Sequence, residues 1–250
     1  MILHIALREL RSMFLSPLAW IVLGVTQVIM AWQFLGFIDY FFTIQPELIK
    51  IKNAPGVTDL IVAPLFDFSK ILLLILCPLI TMRLLSEEKQ NGSLKLLLSS
   101  PVSMTEIILG KYLGALIFFV VVILLISLMP LALLSSADLD MGKFASGMLG
   151  QFLTIAAFIS LGLYMSSLSN QPINAAAGTF CLLILFLIIN IAGNATTEGD
   201  NFFNYLSITH HSIQMLRGIV NTSDIAYFVL FSFGFISLSI RQLDSQRMQS

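Results

Sequence analysis

From Phe144 to Thr197 the chain runs without one charged side chain, and that feature excludes most folds. A helix crosses about 30 Å of hydrocarbon with about 20 mostly apolar residues. The stretch is too long for one crossing and too apolar to coat a water-soluble domain. It divides at Ser166-Ser167-Leu168-Ser169-Asn170-Gln171-Pro172, a polar cluster ending in proline. Pro17–Ile38 and Tyr112–Ala137 are also uncharged, and Ile225–Ile240 is a short apolar run closed by Arg241. A sixth segment carries Asp67 and Lys70 within an otherwise apolar pattern.

The expected fold is an all-α integral membrane protein with six transmembrane helices, forming one transmembrane domain over 1–250. The spans are expected near 17–39, 61–85, 111–135, 144–166, 173–194 and 224–240. Composition agrees. Charged residues make up 11% of the chain against roughly 25% in an ordinary soluble domain, and mean hydropathy is +0.93. A net charge of −1 points away from a nucleic-acid partner. Cys77 and Cys181 both sit in apolar runs and read as packed thiols, not a disulfide or a metal pair.

Basic residues orient the spans. With the N-terminus inside, Arg8, Arg11, Arg83, Lys89, Lys95, Lys111, Arg241 and Arg247 are cytoplasmic, the majority of the thirteen lysines and arginines. Both termini are then cytoplasmic. The first residues lack the pattern of a cleavable signal, so the first span is expected to act as an uncleaved anchor. Residues 1–16 form an amphipathic helix, with Ile2, Leu3, Ala6, Leu7, Leu10, Met13 and Phe14 on one face and His4, Arg8, Glu9, Arg11 and Ser12 on the other. It reads as an interfacial anchor that also suits contact with a cytoplasmic partner.

The loop over 86–110 is the most informative stretch. The second span is expected to continue as helix to Gln90, where Asn91-Gly92 is a stop signal. A short apolar helix near Ser93–Leu98 follows, then a break at Ser100-Pro101. Ser103 and Glu106 make a capping box that starts the next helix. Exposed leucines on a short helix outside the bilayer need lipid headgroups or a partner groove to cover them.

Arg83, then Glu87-Glu88, Gly92-Ser93, the leucine run, Pro101-Val-Ser103 and Gly110-Lys111 resemble the corresponding loop of type-2 ABC exporter permeases. The resemblance is closest to the gliding-motility-associated permeases. It extends through Pro78-Leu-Ile-Thr-Met-Arg83 and the stretch from Tyr205 to Tyr227. Ser93 departs from the family, where threonine is frequent. The resemblance implies that Glu87, Glu88, Gly92, Ser93, Leu94, Leu97, Leu98 and Pro101 belong to a coupling helix docking on a separate ABC ATPase. ATP and Mg would be bound by that partner, and no cofactor by this chain. It also implies two ATPase copies, a second permease copy or homologue, and residence in a bacterial inner membrane.

No Gly-x-x-x-x-Gly-Lys-Ser/Thr phosphate loop, His-Glu-x-x-His zinc helix or Gly-x-Ser-x-Gly nucleophile setting occurs in the chain, so it is not expected to be an enzyme by itself. His4, His210 and His211 all fall outside the expected spans, against haem ligation between helices. Asp67 and Lys70, three residues apart, read either as an ion pair with the lysine snorkelling outward or as part of a transport path or gate. Small residues at Ser146/Gly150, Ala156/Ser160, Gly162/Ser166 and Asn174/Gly178 permit close packing, within one subunit or between two. Residues 195–223 are too polar to span and are expected to form outer-face helices. An ABC permease is the leading reading. A mechanotransmission subunit acting on a periplasmic companion and a secondary transporter are the alternatives.

Overall fold

The computed structural model describes residues 1–48, 55–93, 103–135, 138–195 and 207–249. Leu94, Leu97, Leu98 and Pro101, and with them nearly all of the expected short helix, lie outside the described residues.

The described chain is helical, without strands. Helix α1 (Ile2–Leu15) ends where Ser16 turns extended (φ −79°, ψ 132°) ahead of Pro17, the conformation that a proline imposes on the residue before it. Trp20 Nε1 donates to the Phe14 carbonyl at 2.9 Å and so satisfies one peptide group left open at this elbow. Helix α2 (Pro17–Leu48) follows, then a π-helical turn (Thr58–Val62) leading into α3 (Ala63–Thr81), the short α4 (Ser86–Gln90) and α5 (Met104–Leu131). A 3₁₀ turn (Ala132–Ser135) precedes α6 (Met141–Leu168), α7 (Pro172–Ala195), α8 (Ile208–Leu216) and α9 (Thr222–Gln249). Six segments are long and apolar enough to cross a membrane: Pro17–Glu47, Thr58–Gln90, Met104–Ser135, Met141–Leu168, Pro172–Ile189 and Thr222–Arg247. The protein is a multi-pass membrane protein. Its termini lie at the same end of the bundle, together with α1 and α4, and α8 lies at the other.

Helix α6 is the hub, packing on α3, α5, α7, α8 and α9. The outermost helices leave large apolar side chains facing outward, among them Ile21, Val28 and Trp32 of α2 and Leu230 and Phe233 of α9. In hydrocarbon such surfaces need no cover. The small residues of α6 serve packing within the chain. Ser146 Oγ donates to the Met215 carbonyl at 2.9 Å, Gly150 faces the Met215 side chain, and Gly162 faces Thr81 of α3.

Two details differ from expectation. The second span does not continue unbroken to Gln90, because the helix ends at Thr81 and residues 82–85 form a turn. Pro78 supplies no N–H to the last turn, and Leu84 and Leu85 are fully buried. Ser166 of α6 repairs the break. Its Oγ accepts from the Leu85 and Ser86 amides, both at 3.1 Å, and lies 3.2 Å from the Met82 carbonyl, to which it donates. The expected apolar face of α1 is also divided, with Ala6, Leu10, Met13 and Phe14 packed into the bundle. Leu3 and Leu7 face outward, whereas Ile5 and Glu9 turn toward α5.

That packing depends on two glycines of α5. A Cβ at Gly110 would stand 2.7 Å from the Ile5 side chain, and one at Gly114 would stand 2.9 Å from Glu9 Cβ. We therefore expect Gly110→Val to push α1 away and cost about 1–3 kcal/mol. The thermal unfolding curve of purified protein checks this; a curve superimposing on that of the parent would contradict the packing.

Candidate functional site

The end of the bundle that carries α1 is built around one buried lysine. Lys111 sits two turns into α5, positioned by the helix start at Ser103. Ser103 Oγ accepts from the Glu106 amide and the Glu106 carboxylate accepts from the Ser103 amide, each at 3.2 Å. The Lys111 side chain is 1% exposed. Its Nζ lies 2.8 Å from Glu88 Oε1 on α4 and 3.3 Å from Glu9 Oε2 on α1. One ammonium thus joins three elements that are far apart in sequence. Glu88 Oε2 is buried and has no hydrogen-bond partner among the described residues.

The neighbouring contacts fix α4 from its other sides. Ser86 Oγ lies 2.9 Å from Ser166 Oγ, and the Lys89 ammonium donates to the Ser167 carbonyl. Arg83 reaches Glu87 at 3.7 Å and donates to Ser16 Oγ at 3.3 Å, tying the α3–α4 turn to the α1–α2 elbow. A cavity of about 910 Å3 lies between α1, the start of α2 and the α3–α4–α5 corner. Its wall carries Arg8, Arg83 and Lys111 against Glu9, Glu87 and Glu88, so the charges balance. Gly92 closes α4 at φ +71°, the left-handed conformation expected of its stop signal, and Ser93 Oγ donates to the Glu88 carbonyl at 3.3 Å.

The expected site residues therefore divide into three sets. Glu87, Glu88, Gly92 and Ser93 come together here, and Leu94, Leu97, Leu98 and Pro101 are outside the described residues. Asp67 and Lys70 lie elsewhere, within the second span, paired at 2.6 Å. The Lys70 ammonium also donates to Ser212 Oγ of α8, at the end of the bundle away from α1, at 3.0 Å, and its side chain is only 11% exposed. Sequence reasoning placed Lys111 in the loop motif, Ser166 at the polar break and Glu9 on the polar face of α1, but gave none of them a partner. No local signal could have done so, because each partner lies on another element.

The arrangement ties α1, α4 and α5 together through charge pairs. Residues 3–241 match the family model described as ABC-2 family transporter protein. The chain belongs to the ABC-2 transporter family. No curated protein matches it significantly. An ABC-2 chain is the transmembrane permease subunit of an ABC transporter. It is not itself catalytic and implies an ABC ATPase partner and a lipid bilayer. In this chain the three-way bridge stands beside Gly92, where α4 ends.

Removing one member of a buried ionic group strands the others, at a cost of about 3–5 kcal/mol. Lys111→Met is expected to lower thermal stability strongly, and the triple change Glu9→Gln, Glu88→Gln, Lys111→Met to recover most of the loss. A single variant as stable as the parent would show that the bridge holds nothing together.

Proposed function

We propose that the chain is the permease of an ATP-driven exporter, working with two copies of a separate ATPase and with a second permease, identical or homologous. The observation that supports coupling most directly is the Glu9–Lys111–Glu88 bridge. It makes α1, α4 and the start of α5 one mechanical unit at the place where the chain enters residues 94–102. In this reading Leu94, Leu97 and Leu98 seat in an ATPase groove. ATP-driven closure of the ATPase pair pulls on the loop, and the pull reaches α5 through Lys111 and α6 through Ser166. Glu87 holds Arg83 at the edge of this unit, and Gly92, Ser93 and Pro101 set the loop's entry and exit.

The distribution of basic residues supports placing this end in the cytoplasm, with both termini there and the protein in a bacterial inner membrane. The loop motif supports kinship with the gliding-motility-associated permeases. Asp67 and Lys70 lie far from the coupling end and are the candidates for contact with transported material.

Leu97→Asp tests the coupling step. A buried unpaired charge costs about 3 kcal/mol or more, which weakens docking about a hundredfold. The variant is expected to insert normally but to lose ATPase co-purification or coupled hydrolysis. Unaltered assembly with stimulated hydrolysis would refute the docking of these leucines. Sidedness has its own measurement, in a background lacking Cys77 and Cys181. Single cysteines at Gly92 and Asn170 should resist membrane-impermeant thiol reagents in intact cells, and one at Asp138 should react. Labelling of the Gly92 position from outside would invert the topology.

A further inference from the structure

The Asp67–Lys70 pair borders a cavity of about 170 Å3 between α3, α6, α7 and α8. Its chemistry is sharply divided. Lys70, Asp67, Thr209 and Ser212 form a polar end, whereas Leu74 and Leu187 belong to the apolar wall. Asp67 is 54% exposed although Lys70 is nearly covered. On α3, Asp67 continues outward-facing Ile71 and Ile75 at four-residue spacing, so its carboxylate stands on the outer surface of the bundle.

A half-exposed carboxylate facing hydrocarbon is costly unless something polar covers it. Lys70 pairs with one side of it and also donates to Ser212, which leaves the outward side of the carboxylate uncovered and one ammonium proton for a further acceptor. The depth is also unusual. Lys70 lies 13 residues from Arg83, about 20 Å along a helix, which puts the pair below the headgroup layer at either end.

The geometry points to a binding site for a membrane amphiphile whose zwitterionic headgroup carries a phosphate and a primary ammonium. The positive charge lies deep and the negative charge lies near the lipid, so a headgroup dipole of the opposite sense fits. The phosphate accepts from Lys70 and from the Thr209 hydroxyl, and the ammonium donates to Asp67; the Ser212 hydroxyl, which donates to the Thr209 carbonyl at 2.9 Å, holds the lysine in place. A net anionic headgroup would meet Asp67 unfavourably, and a quaternary ammonium has no N–H to donate. The cavity has room for only a compact headgroup. The tails would lie along the apolar seam between α3 and α7.

This inference rests on the proposed permease function for its significance, because in that reading the held amphiphile is a candidate for the transported material. The binding itself can be measured separately. Full-length protein, purified and delipidated, is titrated with phosphatidylethanolamine, phosphatidylcholine or phosphatidylglycerol and analysed by native mass spectrometry. Phosphatidylethanolamine is expected to bind about tenfold or more tightly than the other two. That preference should vanish in the double variant Asp67→Asn, Lys70→Met. It should also vanish in Leu187→Trp, which fills the apolar wall and keeps the ion pair, and which carries the test if the double variant does not fold. Equal binding of the three lipids, or undiminished preference in a folded variant, overturns the site. Lipid preference that persists where the wild-type chain fails to couple to any ATPase removes the permease reading and leaves the site standing. Coupled hydrolysis without lipid preference removes the site alone.

Discussion

Hydrocarbon offers no hydrogen-bonding partner, so each peptide group between the two interfaces must be satisfied by the chain itself. The architecture follows from that constraint. Helices satisfy their own peptide groups, and the breaks are placed where other partners exist. Pro46, Pro78 and Pro130 each fall within the last turn of their helices, where the N–H each one lacks leaves a carbonyl of the preceding turn without its helical donor as the helix ends. The break after Thr81, lined by the buried Leu84 and Leu85, is matched by a serine hydroxyl from α6 that serves two amides and a carbonyl. Without Ser166 these groups would be buried and unpaired, each at a cost of about 1–3 kcal/mol.

Charge obeys the same constraint more strictly. Lys111 joins Glu9 and Glu88, Lys70 joins Asp67, and Lys143 of α6 joins Asp59 in the π-helical turn at 2.7 Å. The three lysines differ in surroundings. Lys143 is partly exposed and acts as an end tie, Lys111 is enclosed at the coupling end, and Lys70 pairs with a carboxylate that itself faces outward. Burying a pair is seldom favourable against an apolar replacement. Pairs at these positions therefore connect elements more than they stabilise them. His211, stacked on Tyr227 at 4.3 Å and 2.7 Å from Asp224, joins α8 to the start of α9 in the same manner.

What could be read in the sequence was what is encoded locally. The absence of charge over about 20 residues reveals a span without knowledge of its neighbours, so the class and the six crossings were legible. The Pro172 break, the Gly92 stop and the Ser103–Glu106 box were legible because each is written within a few residues. The orientation of α1 was not. Periodicity assigns Glu9 to the polar face and cannot show that a lysine 102 residues later makes the inward direction the favourable one. The end of α3 was hidden for the same reason. Leu84 and Leu85 suggest continued helix, and the hydroxyl that permits a turn comes from another span. At the candidate site, Glu88 was singled out through its loop motif, but its partners were invisible until the chain was folded.

The distance between Glu9 and Lys111 along the chain has a consequence for biogenesis. At roughly 5–20 residues per second, a ribosome needs about 5–20 s to make the 102 residues that separate them. Through that interval α1 has been synthesised and its glutamate has no lysine to receive it. Glu9 must spend it in water or among headgroups, which keeps α1 at the membrane surface while α2 and α3 are inserted. Docking of α1 on α5 is then a post-insertion event, and the first helix to leave the ribosome is among the last to find its place.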